Sequence, residues 1–212
     1  MPQSVLRTVY TQLPTKAGLF QLVGYQRELA DKFETALALS MGDLTQAVPL
    51  LRIHSQCFTG EILGSLRCDC RDQLEISMEA IATERCGLLI YEHQEGRGIG
   101  LMAKLQAYAL QDEGLDTVEA NHALGYDADC RDFILPIKIL QDLKISRVRL
   151  LSNNPKKHQA LVQAGIEVTE RISCETTPNI HALSYLRTKK EKMGHALRLG
   201  STFCDADSLD CG

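Results

Sequence analysis

Three closely spaced cysteines are the residues of this 212-residue chain whose types and spacing most directly indicate chemistry. Cys57, Cys68 and Cys70 follow the pattern Cys-x10-Cys-x-Cys. Thiolates at this spacing can reach one ion, and three of them leave the fourth position of a tetrahedral Zn²⁺ open for water. Such a site lowers the pKa of bound water to about 7 and makes hydroxide available at neutral pH. A structural zinc site, with His54 as a possible fourth ligand, and inert buried cysteines are the alternatives.

Two junctions between a predicted strand and a predicted helix have features of anion-binding sites. The glycine-rich turn 95–100 (EGRGIG) offers backbone N–H groups at a helix N-terminus, and Arg97 adds a positive charge. It has neither the P-loop ending nor the dinucleotide-binding spacing, so a plain tight turn is the alternative. Segment 153–157 (NNPKK) places Lys156 and Lys157 where the helix dipole disfavours them. These lysines either hold phosphates or are simply solvated.

Segment 127–132 (DADCRD) concentrates three carboxylates and one arginine in six residues. This composition suits a general base beside a phosphate-binding cation. A charge cluster at a helix N-terminus is the alternative. Tyr108 lies in the middle of a predicted helix, and the sequence pattern alone gives it no catalytic role.

The spacing of apolar residues changes along the chain, and with it the type of secondary structure predicted to position these residues. Short strands are predicted at 5–10, 18–24 and 36–40, and a longer one at 48–57 has Arg52, His54 and Gln56 on one face. Helices predicted at 72–85 (capped by Asp72), 101–113, 131–143 and 153–165 then alternate with strands at 87–93, 148–152 and 166–171. This order predicts an α/β core that carries an antiparallel N-terminal region.

Composition restricts the classes of protein to which the chain can belong. Its apolar content of 44% and charged content of 24% are ordinary for a globular domain. The net charge of −4 and the absence of Trp argue against nucleic-acid binding as the main function. The apolar runs are too short to span a bilayer or to form a signal peptide. With no export signal, the eight cysteines indicate thiols or metal ligands, and we expect a cytoplasmic location.

The domain organisation predicted from the sequence is simple. We expect one catalytic domain over residues 1–196 and a disordered tail over residues 197–212. The end of this tail, 201–212, is short, polar and acidic, which is typical of a frayed terminus. Metal binding by Cys204 and Cys211 is the alternative for these residues.

Taken together, the motifs resemble GTP cyclohydrolase II, the first committed enzyme of riboflavin biosynthesis. The resemblance runs from about Val48 to His195. The segments that carry it occur in one order: RIHSQCFTG (52–60), LRCDC (66–70), QEGRGIGL (94–101), DTVEAN (116–121), DCRD (129–132), NNPKK (153–157) and KMGH (192–195). The resemblance implies a three-layer α/β domain with a mixed β-sheet, and a homodimer.

The resemblance also implies the activity and the residues that perform it. The reaction is hydrolytic opening of the GTP imidazole ring with release of formate and pyrophosphate, at a Zn²⁺ held by Cys57, Cys68 and Cys70, with Mg²⁺ on the triphosphate. Tyr108 becomes a candidate for proton transfer. The positions that match nucleotide-binding residues of the family are Arg52, Gln56, Gln73, Glu95, Gly96, Arg97, Thr117, Ser152 and Lys157.

Asp129 and Arg131 match the family residues assigned as base and nucleophile in pyrophosphate release. A guanidinium has essentially no free lone pair at neutral pH, and Asp129 would hold it cationic still more firmly. We therefore expect Arg131 at least to stabilise charge on the α-phosphate, and a covalent role stays open.

The sequence departs from the family pattern at a few positions. Gln56 stands where the family usually has Glu, Cys130 replaces a usually acidic residue, and Ser152 replaces Thr. A divergent paralogue that stops at the formamide, or that uses another nucleotide, is one alternative function. A non-catalytic regulator that binds zinc and nucleotide is the alternative from another class.

Overall fold

The N-terminal third of the chain is an antiparallel meander. In the computed structural model, which describes residues 5–30, 33–177 and 179–197, it consists of β1 (Val5–Pro14), β2 (Leu19–Glu28) and β3 (Phe33–Met41). A tight turn joins the first two strands, where the backbones of Thr15 and Gly18 hydrogen-bond to each other. The predicted antiparallel region is confirmed, and its strands are longer than the apolar runs indicated.

The second part of the sheet is parallel. Strands β4 (Leu50–Ser55), β5 (Gly87–Glu92), β6 (Arg147–Leu151) and β7 (Glu167–Ile172) complete seven strands in the order β1-β2-β3-β5-β4-β6-β7. Strand β3 pairs antiparallel with β5, whereas β4 pairs parallel with both β5 and β6, and β6 pairs parallel with β7. The sheet is therefore mixed, as the family resemblance implied.

Helices cover both faces of this sheet. They are α1 (Phe58–Glu61), α2 (Cys70–Glu84), α3 (Leu101–Asp112), α4 (Thr117–Ala123), α5 (Ile134–Asp142), α6 (Pro155–Gln163) and α7 (Leu183–Met193). Successive residues of a strand point to opposite faces. Leu51 of β4 accordingly packs with Ile139 of α5 and Leu161 of α6 in one buried cluster, while Leu50 packs with Ile81 of α2 in another. These two clusters establish the three-layer α/β architecture.

Three helices differ from the prediction. Helix α2 begins at Cys70 with Asp69 at its N-cap position, so Asp72 lies inside the helix and does not cap it. Helix α5 begins at Ile134 and not at residue 131. The carboxylate of Asp132 accepts a hydrogen bond from the Ile134 N–H, just before the helix. Helix α4, which the sequence pattern did not predict, has a capping box formed by Asp116 and Glu119.

Two further observations concern membrane-spanning helices and the C-terminal tail. Among the described residues, no helix combines the length and the apolarity that crossing a bilayer requires. Leu197 packs with Ala182 and Leu186. The rest of the predicted tail, including Cys204 and Cys211, lies outside the described residues.

Candidate active site

The candidate residues converge at the carboxyl ends of three parallel strands. Gln56 and Cys57 follow β4, the glycine-rich turn follows β5, and Ser152 follows β6. Ligands of open α/β sheets bind at this edge. Two adjoining pockets open there: the cysteine pocket, lined by the three predicted metal ligands, and the cationic pocket, lined by Arg52 and Lys157. They share five lining residues, which are Ser55, Cys70, Arg97, Arg131 and Tyr185.

The two pockets divide the predicted site residues between them. The cysteine pocket is lined by Gln56, Cys57, Cys68, Cys70, Glu95, Gly96, Arg97, Tyr108, Thr117 and Arg131. The cationic pocket adds Arg52, Gln73, Ser152 and Lys157. Asp129 lines neither pocket and contacts the site through Arg131.

The three cysteines have the geometry of a metal site. Cys57 precedes α1, Cys70 is the first residue of α2, and Cys68 lies just before α2. Their Sγ atoms all lie within 4.8 Å of one another, and those of Cys57 and Cys68 are 3.6 Å apart. Tetrahedral ligands at the usual Zn–S distance are separated by about 3.8 Å. Among the described residues, this is the one cluster of three or more side chains placed to share a metal ion.

Gly60 allows the thiols to converge. A Cβ atom at this position would lie 2.8 Å from the Sγ of Cys68 and 3.2 Å from that of Cys57. Any larger residue would push the sulfur atoms apart. The glycine of the segment 52–60 therefore has a packing role directly at the cysteine cluster.

The charge of the cluster is set by hydrogen bonds and by Lys104. Hydrogen bonds from Cys68 and Cys70 lower the pKa of Cys57, and the nearby ammonium of Lys104 lowers it further. The hydrogen bond to Cys57 raises the pKa of Cys68 to about 11, and the pKa of Cys70 is raised well above its ordinary value. Cys57 is therefore the cysteine of the cluster that ionises most readily. A bound divalent cation would displace the protons that the thiols still carry.

Lys104 of α3 is a site residue that the sequence analysis did not identify. Its Nζ donates to the Sγ of Cys57 at 3.1 Å and to Oε1 of Glu95 at 2.7 Å. Burial alone would lower the pKa of Lys104, but the thiolate and the carboxylate raise it, so the ammonium stays charged. Lys104 lies four residues before Tyr108, and this spacing puts both on one helix face. That spacing was the available sequence signal.

Glu95 joins the two chain segments that border the cysteine pocket. Its Oε2 accepts from the backbone N–H of Phe58 at 2.6 Å, while Oε1 accepts from Gly96 at 2.9 Å. Gly96 and Arg97 that follow both have left-handed backbones, with φ of 62° and 61°. For a non-glycine residue this conformation costs about 1–3 kcal/mol and is concentrated at functional sites. The turn thereby holds Arg97 between the two pockets.

Tyr108 and Thr117 also line the cysteine pocket. The hydroxyl of Tyr108 lies 3.3 Å from that of Thr59, which is 3.7 Å from the Sγ of Cys57. Burial raises the pKa of Tyr108 to about 12, so its phenol remains protonated at neutral pH. Thr117 is the first residue of α4 and lines the same pocket.

The cationic pocket contains buried donors that lack acceptors. Arg52 and Lys157 are 4% and 5% exposed, and Lys157 donates to the carbonyl of Ile53 at 2.7 Å. Within the described part of the chain, Nε of Arg52, Nη2 of Arg97 and Nδ2 of Asn153 have no hydrogen-bond partner. A buried N–H group without an acceptor is costly. An anion in this pocket would supply the missing acceptors.

Asp129 and Arg131 form a rigid pair. Nε and Nη2 of Arg131 each donate to a different carboxylate oxygen of Asp129, both at 2.8 Å. Burial would raise the pKa of Asp129, but the hydrogen bonds and charge of Arg131 outweigh it, and the pKa is lowered. The third contact of the guanidinium is Nη1 to the hydroxyl of Ser55 at 3.3 Å. The pair thus presents a fixed cation at the junction of the pockets.

Comparison with known proteins decides the family. The family model described as GTP cyclohydrolase II matches residues 6–173. The GTP cyclohydrolase-2 of Teredinibacter turnerae is 50% identical over 188 residues, which are 88% of this chain and 94% of that protein. The chain belongs to the GTP cyclohydrolase II family. The resemblance inferred from the motifs is thereby confirmed.

Other relatives of this GTP cyclohydrolase II family member are equally similar. The GTP cyclohydrolase-2 of Shigella boydii is 50% identical over 192 residues, 90% of this chain and 97% of that protein. A riboflavin biosynthesis protein of Vibrio vulnificus is 51% identical over 185 residues, 87% of this chain and 50% of that protein. The chain thus corresponds to half of this longer relative.

His54 and Glu61 form a buried hydrogen-bond network with Arg52 and the Cys57 backbone in this GTP cyclohydrolase II family member. The sequence analysis considered His54 as a metal ligand and did not identify Glu61. Arg52 contacts Nδ1 of His54 at 3.3 Å, and Nε2 of His54 lies 2.9 Å from Oε1 of Glu61. Both ring nitrogens of His54 are therefore occupied, and His54 is not a fourth metal ligand. Glu61 also accepts from the Cys57 N–H at 3.0 Å. Burial raises the pKa of Glu61 to about 7.

The environment of Gln56 differs in one respect from the expectation. It lines the cysteine pocket beside Cys57 and Arg97. Arg52, which was expected on the same strand face, instead lines the cationic pocket and donates to Gln73 at 2.8 Å. Strand β4 ends at Ser55, so its alternation no longer holds at Gln56. The cations that line the pocket of Gln56 are Arg97, Lys104 and Arg131.

Proposed function

We propose that this protein catalyses the zinc-dependent hydrolytic opening of the GTP imidazole ring, with release of formate and pyrophosphate, as the first step of riboflavin biosynthesis. The observation that carries the proposal is the adjacency of the two pockets. One holds three convergent thiols, and the other holds buried cationic donors without acceptors. A nucleotide with its base in the first and its phosphates in the second satisfies both.

The metal would be held by Cys57, Cys68 and Cys70. When bound, Zn²⁺ with three protein ligands supplies an activated water and a Lewis acid beside C8 of the guanine. Three thiolates exceed the charge of one Zn²⁺, and Lys104, at 3.1 Å from Cys57, offsets the excess. Lys104 therefore reduces the cost of bringing an anionic nucleotide near this cluster.

We expect Tyr108 to donate a proton to the leaving nitrogen. Its raised pKa keeps the phenol protonated until a base appears next to it. Breaking the bond between C8 and a ring nitrogen develops negative charge on that nitrogen, and the Tyr108 hydroxyl can donate its proton there. The hydroxyl of Thr59, 3.3 Å away, orients the phenol.

The cationic pocket would bind the triphosphate. Arg131 is paired with Asp129, whereas Arg52, Arg97 and Lys157 form no ion pair with a carboxylate in the described part of the chain. Burial and the neighbouring Arg131 and Arg52 lower the pKa of Lys157, and a bound triphosphate would favour its charged form. A triphosphate carries more negative charge than these three side chains neutralise. Mg²⁺, which binds phosphate oxygens, would neutralise the remainder.

Arg131 would stabilise charge at the α-phosphate as pyrophosphate leaves. Its bidentate pair with Asp129 fixes the guanidinium and keeps it cationic. In this arrangement Asp129 is a positioning residue whose lowered pKa disfavours proton uptake. Its role as a base stays a prediction from the family resemblance.

Replacement of Lys157 by Met is expected to weaken GTP binding by about ten- to a hundredfold, because it removes a charged phosphate contact. Guanosine, which has no phosphate, should bind as before. Isothermal titration of both ligands against the zinc-loaded protein measures the difference. Lys138→Met, on the exposed face of α5, is the matched control. Equal losses for the two ligands would show that Lys157 does not contact phosphate.

Replacement of Gln56 by Glu is expected to raise the rate of formate release by at least about tenfold, since a carboxylate can accept a proton and an amide cannot. The wild-type protein should accordingly release formate slowly. Zinc content should stay the same in both. Gln106→Glu, which adds the same charge on the exposed face of α3, is the control. A rate of formate release in Gln56→Glu that is no higher than in the wild type contradicts this role for position 56.

The product of GTP distinguishes the proposed function from its alternatives. Incubation with GTP, Zn²⁺ and Mg²⁺, followed by mass spectrometry, should give a ribosylaminopyrimidine monophosphate without the formyl group. A product that keeps the formyl carbon identifies a paralogue that stops at the formamide. Bound GTP that is never consumed identifies a non-catalytic regulator.

Three further properties are part of the proposal. We expect a cytoplasmic homodimer whose catalytic domain occupies residues 1–196. Light scattering of the purified protein tests the dimer, because it measures mass independently of shape.

A further inference from the structure

Helix α7 forms one wall of the cationic pocket. Tyr185 and Lys189 of this helix, and His195 just after it, line the pocket. The segment is fixed to the site, because the Ala196 N–H donates to the Asn153 carbonyl at 3.2 Å. The guanidinium of Arg97 also lies 5.2 Å from the centre of the Tyr185 ring. The helix is therefore part of the nucleotide site and not an appendage beside it.

Lys189 has hydrogen-bonding capacity that the protein does not use. Its Nζ donates to Oδ1 of Asp69 at 2.7 Å and lies 4.4 Å from the centre of the Tyr185 ring. An ammonium has three N–H donors, and Asp69 is its one hydrogen-bond acceptor within the described part of the chain. The side chain of Lys189 is 10% exposed, so bulk water gives it little compensation. The remaining donors are available to a ligand in the pocket.

The single carboxylate of Asp69 does not neutralise all the positive charge of the cationic pocket. Its Oδ2 accepts from Gln73 at 2.6 Å, and Gln73 in turn accepts from Arg52 at 2.8 Å. One carboxylate therefore supports Lys189 directly and Arg52 through an amide. A buried ion pair contributes little to stability by itself, because desolvation offsets the attraction. The desolvation cost of burying Lys189 and Asp69 is explained if the Lys189 ammonium is kept in position to bind an anion.

We propose that Lys189 is a further phosphate-binding residue of the nucleotide site, held toward the cationic pocket by Asp69 and by the ring of Tyr185. This inference rests on the proposed function, since the phosphates are those of GTP. It assigns α7 a direct part in substrate binding. The same ammonium can keep its hydrogen bond to Asp69 while donating to a phosphate oxygen.

The test compares GTP and guanosine affinities in Lys189→Met and in the wild type, with zinc content measured in each. We expect GTP to bind about ten- to a hundredfold more weakly to Lys189→Met, with guanosine affinity and zinc content unchanged. Lys190→Met, the exposed neighbour on the same helix, should bind both ligands as the wild type does.

A second variant separates phosphate binding from a structural role. Lys189→Met leaves Asp69 buried without its cation, whereas the double variant Lys189→Met/Asp69→Asn removes that unpaired charge. If Lys189 binds phosphate, the double variant still binds GTP weakly. Recovery of GTP affinity in the double variant, or an equal loss of guanosine affinity in Lys189→Met, overturns the proposal. A wild-type protein with no preference for GTP over guanosine refutes the proposed function itself.

Discussion

Replacement of Cys68 by Ser is expected to release the bound zinc and to lower the rate of formate production by at least about a thousandfold. The serine hydroxyl does not ionise near neutral pH, so one of only three protein ligands is lost. Pyrophosphate release should survive in part, because the residues expected to perform it lie around Arg131. Metal analysis of the purified variant and a formate assay measure the two effects.

The control for this prediction is Cys86→Ser. Cys86 lies before β5, and its thiol donates to the carbonyl of Asp43 at 3.6 Å, away from the cysteine pocket. This variant should keep both zinc and formate release. Formate production at the wild-type rate by metal-free Cys68→Ser would contradict the assignment of the three cysteines.

Replacement of Arg131 by Lys is expected to slow pyrophosphate release by about a hundred- to a thousandfold, the usual effect of losing one preorganised charge donor. An ammonium keeps the charge but cannot make the two parallel hydrogen bonds to Asp129, so the cation is no longer fixed. Rapid-quench measurement of pyrophosphate in a single turnover isolates this step. Arg149→Lys, on the surface between Glu84 and Glu170, is the control and should behave as the wild type. Undiminished release by Arg131→Lys would exclude a role for the guanidinium.

Most of the sheet could be predicted because residues close together in sequence identify its strands. Leu51 and Ile53 alternate with Arg52 and His54, and this period identifies β4 from sequence alone. Helix α4 was missed although Asp116 and Glu119 give it a capping-box pattern, since seven residues are too few for a clear apolar period. Helix α7 was missed because its sequence, LSYLRTKKEKM, is rich in lysine and is stabilised by tertiary contacts.

The candidate site, like the fold, could be predicted only where its residues are close in sequence or lie at strand ends. The cysteine cluster could be predicted because Cys68 and Cys70 are close in sequence and strands predictably end at a common edge. Lys104 and Lys189 were not identified, because they lie 47 and 120 residues from the partners that give them their roles, Cys57 and Asp69. For Lys157, the sequence left open whether it was solvated. Its burial and its contact with the carbonyl of Ile53 decide against that alternative.

The most direct test of the central claim uses GTP with an isotopic carbon label at C8. The arrangement of three thiols beside a triphosphate-binding pocket predicts that the zinc-loaded protein transfers the label to formate, one molecule for each GTP consumed, with an equal amount of pyrophosphate. Label that stays in the nucleotide product, or GTP that remains intact, would contradict it.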